Sequence, residues 1–451
     1  MSQAHADPDL HLFMDDADIV GHKGLTRVVQ PMRREALEPL MSADRPWEGA
    51  AVCYPVVLPD ADGGGYLMWY KTIATGVTCL ARSKRGRLWL KEPTAGGPTW
   101  EGEPTNVVFG RANVGYGAYV VEVSGRRGAW PEGTRFAGLT FGQDEAGVSG
   151  LYAIWSPDGE HWERREPAVL PHQGDRHSVS YDEERGLFML TCRRLDAARR
   201  AGPGGRHREI ALWESPDLRE WEYLGVVLSA DELDPPGTQL YGMSTFRYGE
   251  GFVGLLEMYY EPIEKLDTQL AWSRDGRHWQ RVGRRTPLLG MGGQGAWDSH
   301  WAVPAISPPA SHGFSLWFWY NGGCTKHGSN EAHVRSVGLA SLRQDGFVAL
   351  EAGRRDAELV TADLPSDRER ALQVNADVRT GELAVEVLGP NGDPLEGFGA
   401  DDCRVDGSDG ARLAVRWGEC TAVPAVAEGA VKLRFALRQG SLYGYRWSAI
   451  T

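Results

Sequence analysis

Asp175 and Asp298 are each followed two positions later by a histidine, His177 and His300. A third acid, Glu48, lies in a Pro-Trp-Glu-Gly run. Carboxylates and imidazoles often transfer protons in enzymes, and neighbouring acids in different environments separate into a proton donor and a base. We therefore predict that these five residues are catalytic, in acid–base work on a polar, ring-shaped ligand.

Each of these residues also has a structural interpretation. Glu48 could cap the first strand, Asp175 could hold a Gly-Asp turn, and a solitary buried histidine is often only hydrogen-bonded. Asp298 is the strongest acid of the set, because its Trp-Asp-Ser-His run is an unusual choice for a plain turn. We expect alanine at Asp298 or His300 to abolish activity and to leave the thermal melt nearly unchanged.

A second group of residues is predicted to bind the substrate beside these acids: Trp47, Tyr116, Arg193, Tyr241, Glu257 and Trp301. Glu257 lies in an apolar run, where an unpaired carboxylate is costly to bury. We expect Arg193 or a ligand to meet it.

Metal and cofactor sites are weakly indicated. His327 and His333 flank a polar loop and could bind a metal together with His300, although a solvated loop at the rim is the favoured interpretation. The Asp-Gly turns lack the closely spaced oxygens of a calcium loop, and no glycine-rich loop offers a phosphate or dinucleotide site. We predict no metal and no cofactor.

A repeated turn must position these residues. It combines Ser, Asp-Gly and an aromatic residue in Ser273-Arg-Asp-Gly-Arg-His-Trp279, and related copies begin at Ser83, Ser156, Ser215 and Ser341. Asp bonds the turn backbone, Gly supplies the positive φ of a tight hairpin, and the aromatic side chain packs back on the sheet. Such regular self-similarity is typical of repeat architectures.

Four strands precede or surround each turn, which predicts an all-β chain with a five-bladed β-propeller over residues 47–355. Residues 1–46 form a lead-in whose segments 12–14 and 19–20 are expected to pair. The fifth blade is expected to end on a strand at 347–350. Alternating strands from residue 356 to residue 451 predict a C-terminal β-sandwich. Because first strands are innermost, their beginnings should bring the candidate residues to a central funnel.

Composition excludes several classes of function. The 451 residues carry a net charge of −13, which argues against nucleic acid and against an anionic membrane surface as partners. The six cysteines form no Cys-x-x-Cys pair, and the N-terminus lacks a basic and apolar leader. We expect a cytoplasmic protein with a small-molecule substrate, and its oligomeric state stays open.

The pattern resembles glycoside hydrolase family 32, whose propeller is shared with families 43 and 68. The segments that carry the resemblance to family-32-like bacterial proteins are Leu12-Phe-Met-Asp-Asp16, Pro46-Trp-Glu-Gly49, Gly295-Ala-Trp-Asp-Ser299, Leu372-Gln-Val-Asn-Ala-Asp-Val378 and Leu442-Tyr-Gly-Tyr-Arg-Trp447. The resemblance implies a propeller followed by a sandwich and a site of carboxylates in the funnel.

The catalytic motifs of family 32 are not matched. Its first-blade motif Trp-Met-Asn-Asp-Pro-Asn-Gly corresponds here to residues 44–49, with Glu48 near the acid position. Its second-blade Arg-Asp-Pro is absent, the nearest acid being Glu122, and residues 174–178 replace its third-blade Glu-Cys.

Three hypotheses for function follow. The first is a glycoside hydrolase-like enzyme, with Glu48 and either Asp298 or Asp175 as its two carboxylates. The second is a glycosidase-like scaffold that performs cyclisation, elimination or isomerisation in small-metabolite or natural-product biosynthesis, because fold does not fix function. The third is a non-catalytic sugar-binding propeller.

Overall fold

The computed structural model describes residues 7–110, 115–126, 128–196, 207–328, 333–426 and 429–450. Within them the regular structure is β-strand, apart from two single-turn 3-10 helices at Pro46–Glu48 and Glu261–Ile263. The strands form a five-bladed β-propeller and a C-terminal β-sandwich, which confirms the predicted fold class. None of the described residues form a helix long and apolar enough to cross a membrane.

Blades I, II and III are separate antiparallel sheets whose strands follow chain order. The strands of blade I are Val52–Pro59, Tyr66–Thr72, Val77–Ser83 and Val107–Gly110. Those of blade II are Tyr116–Glu122, Phe136–Gln143, Ser149–Ser156 and Glu163–Arg164, with Leu170–Pro171 beside the third. Those of blade III are His177–Asp182, Leu187–Asp196, His207–Ser215 and Glu222–Leu228. A small hairpin, Thr99–Trp100 with Glu103–Pro104, lies between the last two strands of blade I.

Blades IV and V are joined by one parallel pairing, between Leu266 and Trp301. The strands of blade IV are Thr238–Tyr248, Gly251–Tyr260, Lys265–Ser273 and Gln280–Arg281. Those of blade V are Trp301–Pro304, Ser315–Gly323, Ser336–Arg343 and Arg33–Arg34, with Ala310–His312 beside the second. The first strands of blades I to IV contact one another in succession, so they surround the propeller axis.

The fourth strand of blade V corrects the sequence interpretation. Its outer strand is Arg33–Arg34, from the N-terminal segment, and not residues 347–350. Those residues belong to Val348–Ala352, which pairs with Leu25–Val29 and Gly440–Ser448 in the sandwich. The pattern misleads because a strand that closes a ring can come from either end of the chain.

The repeated turn joins neighbouring blades by indole hydrogen bonds. In blade II the Ser156 hydroxyl accepts from the Gly159 amide at 2.7 Å. The Gly159 carbonyl accepts from Trp162 of its own turn at 2.9 Å and from Trp69 of blade I at 2.8 Å. Gly159 has a φ of +84°, which glycine adopts without steric cost. This copy of the turn therefore joins blade II to blade I.

The sandwich consists of two sheets around one apolar core. The strands of the first sheet are Leu25–Val29, Val348–Ala352, Gly440–Ser448, Ala371–Asp377, Asp409–Trp417 and Cys403–Val405, with Leu10–Leu12 beside Gly440–Ser448. Those of the second are Ile19–Lys23, Ala357–Thr361, Leu364–Pro365, Ala430–Arg438 and Glu382–Leu388. Burial alternates along Ala430–Arg438, as expected of a strand with one face on a core.

The predicted pairing inside the lead-in is wrong. Leu10–Leu12 pairs with Gly440–Ser448, and Ile19–Lys23 pairs with Ala357–Thr361. Both strands complete sandwich sheets, because a two-stranded hairpin alone buries too little surface to be stable.

Candidate active site

A cavity of about 210 Å³ lies where the first strands of the blades begin. Its lining residues come from blades I, III, IV and V: Cys53, Tyr54, Lys71, Ile73, Asp175, Tyr241, Trp301, Asn321, His327, His333 and Arg335. We call this space the funnel cavity. Its volume suits a small molecule, and its walls combine aromatic rings with a few charged groups, as in many ligand sites.

A second cavity, of about 390 Å³, lies at the opposite ends of the first strands. Both arginines of its lining are paired with carboxylates, Arg126 with Glu183 and Arg247 with Asp182. Although this second cavity is larger, its paired arginines are less available to a ligand than the charged groups of the funnel cavity.

Tyr54 forms part of the wall through a strained backbone. Its φ is +47°, a region that few non-glycine residues occupy, and the register of the strand shifts between Cys53 and Val56. Such bulges redirect a side chain, and strained residues are frequent at functional sites. Here the strain turns the Tyr54 ring toward the axis.

Lys71 is the penultimate residue of the second strand of blade I and is buried against this ring. Its Nζ lies 4.5 Å from the Tyr54 ring centroid and 3.9 Å from Asp175 Oδ2. Burial lowers the pKa of Lys71 to about 8, although Asp175 and Cys53 oppose that shift. Both protonation states of this amine are therefore populated near neutral pH.

Asp175 is a half-exposed carboxylate between two cations. Arg193 Nη2 donates to Asp175 Oδ1 at 2.9 Å, and the Arg193 guanidinium lies over the Tyr241 ring. Burial alone would raise the pKa of Asp175, but the charges of Lys71 and Arg193 outweigh it and lower the pKa below its usual value. Asp175 is therefore an ionised base, and not a protonated acid.

Arg335 supplies a further cation to the funnel cavity. Its guanidinium lies 4.6 Å from the Trp301 ring and donates to two neutral oxygens, Thr325 Oγ1 at 2.6 Å and the Val334 carbonyl at 2.8 Å. A guanidinium with such neutral partners keeps its charge available for an anionic ligand.

His327 and Tyr241 extend the aromatic wall. Tyr241 and His327 Nε2 are hydrogen-bonded at 3.1 Å, and the His327 ring lies parallel to Trp301. Burial, together with the charges of Arg208 and Arg193, lowers the pKa of His327 to about 4. The imidazole is therefore neutral at pH 7, and its hydrogen bond with the Tyr241 hydroxyl does not need a charge on the ring.

Two predicted residues lie beneath the cavity. His177 is buried against Tyr119, and burial together with the charge of Arg176 lowers its pKa to about 3, so it is neutral. Glu257 is fully buried and binds Arg176 through both oxygens, with Arg176 Nε 2.8 Å from Oε2. The expectation that Arg193 pairs with Glu257 is therefore wrong, because Arg176 binds this carboxylate.

Glu48 and Trp47 do not reach the funnel cavity. Glu48 is fully buried, and its carboxylate accepts from Tyr70 at 2.6 Å, from Lys91 at 2.8 Å and from two backbone amides. The Trp47 indole donates to Asn106 inside the core of blade I. The prediction that Glu48 faces the ligand together with Asp175 is therefore wrong. The Glu48 carboxylate is enclosed by its hydrogen-bond partners, away from the funnel cavity.

Asp298 is also enclosed. Its Oδ2 accepts from Arg34 Nε at 2.6 Å and from Tyr320 at 2.9 Å, so it fastens the N-terminal strand of blade V. His300 is half-buried, touches the Ser299 hydroxyl and does not line the cavity. The structure therefore does not bring the five predicted catalytic residues together, and Asp175 alone of them lines the cavity.

The remaining predictions divide. Tyr241 and Trp301 line the cavity, and Arg193 donates to the lining residue Asp175. The side chain of Tyr116 lies outside the described residues.

His300, His327 and His333 do not bring their ring nitrogens within 4.8 Å of one another. That spacing does not support a shared metal.

Sequence reasoning missed the roles of Tyr54, Lys71 and Arg335. One signal was present: the chain has 48 lysines and arginines, of which only seven are lysines. In a chain that prefers arginine, a lysine near the end of an apolar first-blade strand is an unusual choice.

No protein-family model and no curated protein sequence matches the chain. Among solved structures, it is similar to a thermostable family-43 glycoside hydrolase (12% identity, 67% of this chain and 93% of that one, TM-score 0.48). It is also similar to an N-acetylgalactosamine deacetylase from F. plautii (15% identity, 71% of this chain and 96% of that one, TM-score 0.47). A third similar structure is a glycoside hydrolase family 32 β-fructofuranosidase of Bombyx mori (10% identity, 92% of this chain and 95% of that one, TM-score 0.42). At these identities and TM-scores, the solved structures do not confirm that the chain belongs to the family it resembles, and no activity transfers from them.

Proposed function

We propose that the funnel cavity binds a small organic anion with a flat or ring-shaped body and performs acid–base chemistry other than glycoside hydrolysis on it. One observation carries this proposal: Lys71 and Arg193 flank Asp175, the only carboxylate among the described lining residues, and Arg335 adds a further cation to the lining. Cationic guanidinium groups bind carboxylates strongly because the hydrogen bonds are charge-assisted.

Hydrolysis of a glycoside by two carboxylates is less well supported. It needs a second carboxyl group about 5–9.5 Å from the first, and one of the two must stay protonated. The other candidate acids, Glu48 and Asp298, are enclosed by hydrogen bonds, and the pKa of Asp175 is lowered. The described part of the funnel therefore lacks the proton donor.

The proposed roles follow from the geometry. Lys71 and Asp175 are close enough to exchange a proton through a small movement or one water, and Lys71 is populated in both protonation states near neutral pH. Arg335 holds the anionic group of the substrate, and Trp301 and Tyr54 pack on its body. We also propose a cytoplasmic setting, since all six cysteines are unpaired thiols.

Replacing Arg335 by methionine should weaken the binding of benzoate about 10- to 100-fold, because a charge-assisted hydrogen bond contributes about 1.5–3 kcal/mol. Isothermal titration calorimetry measures the affinity. Arg354→Met, which removes an exposed arginine of the sandwich, is the matched control and should bind as the unmodified protein does. Arg335→Lys, which keeps the charge, should recover part of the affinity.

The same titrations include benzamide, glucose and an aryl glycoside as neutral probes. Benzoate should bind and the neutral probes should not, and aryl fructosides and arabinosides should not be turned over. Binding or turnover of the sugars without binding of benzoate would contradict the proposal and favour a glycosidase.

A further inference from the structure

We propose that Lys71 is a nucleophile, which forms an imine with an aldehyde or ketone that also carries a carboxylate. The inference rests on the proposed function, since it assumes that the funnel cavity binds an organic anion. It adds the class of substrate, a carbonyl compound, and a covalent intermediate.

The position of Lys71 differs from that of another buried lysine. The side chains of Lys71 and Lys91 are both 4% exposed. Lys91 donates to Glu48 at 2.8 Å and to Asp44 and the Ser42 carbonyl at 2.7 Å, outside the cavity. Lys71 lines the cavity, and its nearest Asp175 oxygen is 3.9 Å away. Of these two equally buried lysines, Lys71 therefore faces the cavity in which a ligand would lie, and Lys91 does not.

The aromatic wall separates the amine from the anion site. Lys71 lies on Tyr54, Arg335 lies on Trp301, and the two rings meet edge to face with their centroids 6.1 Å apart. A ligand whose carboxylate meets Arg335 can therefore present a carbonyl group at another point of the same wall. This arrangement fits a molecule with a carbonyl and a carboxylate at opposite ends of a flat body.

The neutral amine required for attack is available. Among the described residues, the groups that face Lys71 include Asp175, Cys53, Tyr54, Arg176 and Arg193. With a pKa lowered to about 8, roughly a tenth of the Lys71 amine is neutral at pH 7. Burial keeps the Cys53 thiol protonated, which leaves the lysine as the better nucleophile.

The step balances without an oxidant or a reductant. The nitrogen lone pair attacks the carbonyl carbon and forms the C–N bond, and the oxygen takes up a proton. The C–O bond then breaks and water leaves, carrying the two protons that the amine has lost. Asp175 is the group positioned to pass protons between nitrogen and oxygen.

The test treats the protein with 4-carboxybenzaldehyde and cyanoborohydride, which reduces an imine to a stable amine, followed by peptide mass mapping. The seven lysines are individually assignable. Label at Lys71 should exceed label at buried Lys91 and exposed Lys84 by at least about tenfold, as expected of a lowered pKa and a binding site. Benzaldehyde, which lacks the carboxylate, should label Lys71 at least about tenfold less.

The pH dependence of labelling shows whether Lys71 reacts because its pKa is lowered or only because the reagent reaches it. Raising the pH from 7 to 9 should reduce the labelling advantage of Lys71 over Lys84 about tenfold, because the neutral fraction of an amine with a pKa near 8 saturates while that of an ordinary lysine keeps rising. Lys71→Arg should remove the label at this position, because a guanidinium does not form the imine.

The outcomes distinguish the two proposals. If benzoate binds but Lys71 is labelled no more than Lys91, the imine proposal is wrong and the anion site stands. If neither benzoate binding nor labelling of Lys71 is observed, both proposals fail.

Discussion

Replacing Glu257 by glutamine should lower the free energy of unfolding by about 3–5 kcal/mol, the cost of leaving a buried charge without its partner. Glu257 is fully buried and Arg176 is 2% exposed, so water cannot replace the lost carboxylate. Arg176 also lies beneath the Tyr54 ring, with Cζ 5.1 Å from the ring centroid. Urea denaturation followed by tryptophan fluorescence should show a lower midpoint.

A double variant tests the physical cause. Arg176→Met combined with Glu257→Leu removes both charges and should recover most of the lost stability, since apolar groups of similar volume often replace a buried ion pair at little cost. Arg438→Met, which breaks an exposed pair with Glu382, is the control and should move the midpoint little. A Glu257→Gln protein as stable as the unmodified one would show that the buried pair is not needed for folding.

Replacing Asp298 by alanine should also destabilise the protein, by about 2–3 kcal/mol, and should leave the binding of benzoate unchanged. The substitution leaves Arg34 and Tyr320 without their shared acceptor at the strand that closes the propeller. Arg34 is partly exposed, so water compensates for some of the loss. Differential scanning calorimetry measures the first effect and titration with benzoate the second.

This expectation reverses the one drawn from the sequence, which gave Asp298 a catalytic role and no role in stability. His300→Ala is the useful comparison, because His300 is half-buried and its side chain contacts only the neighbouring Ser299 among the hydrogen bonds of the described residues. It should melt close to the unmodified protein. Loss of benzoate binding in Asp298→Ala, with an unchanged melt, would restore the original interpretation.

The propeller was predictable because its signal is local. Ser, Asp-Gly and Trp bond within seven residues, as in the turn of Ser273 and Trp279, so each copy shows in the sequence. The strand that closes blade V was not predictable, since Arg33–Arg34 pairs with residues more than 300 positions away. No turn or periodicity records such a pairing.

The site was predictable in position more than in chemistry. First strands do bring Asp175, Tyr241 and Trp301 to the funnel cavity. Which acids face a ligand depends on partners that the sequence does not reveal: Glu48 is neutralised by Lys91 and Asp298 by Arg34. An acid whose partner arrives from a distant strand looks the same in the sequence as an acid without a partner.

The N-terminal segment imposes an order on synthesis. A ribosome makes residues 10–34 long before their partners, which lie in Ser336–Arg343, Val348–Ala352, Ala357–Thr361 and Gly440–Ser448. Neither the last blade nor either sandwich sheet can be completed until most of the chain has emerged. Such long-range pairing makes folding slow and leaves strand edges open to other chains in the meantime. The N-terminal strands therefore stay without their native partners until the ring closes.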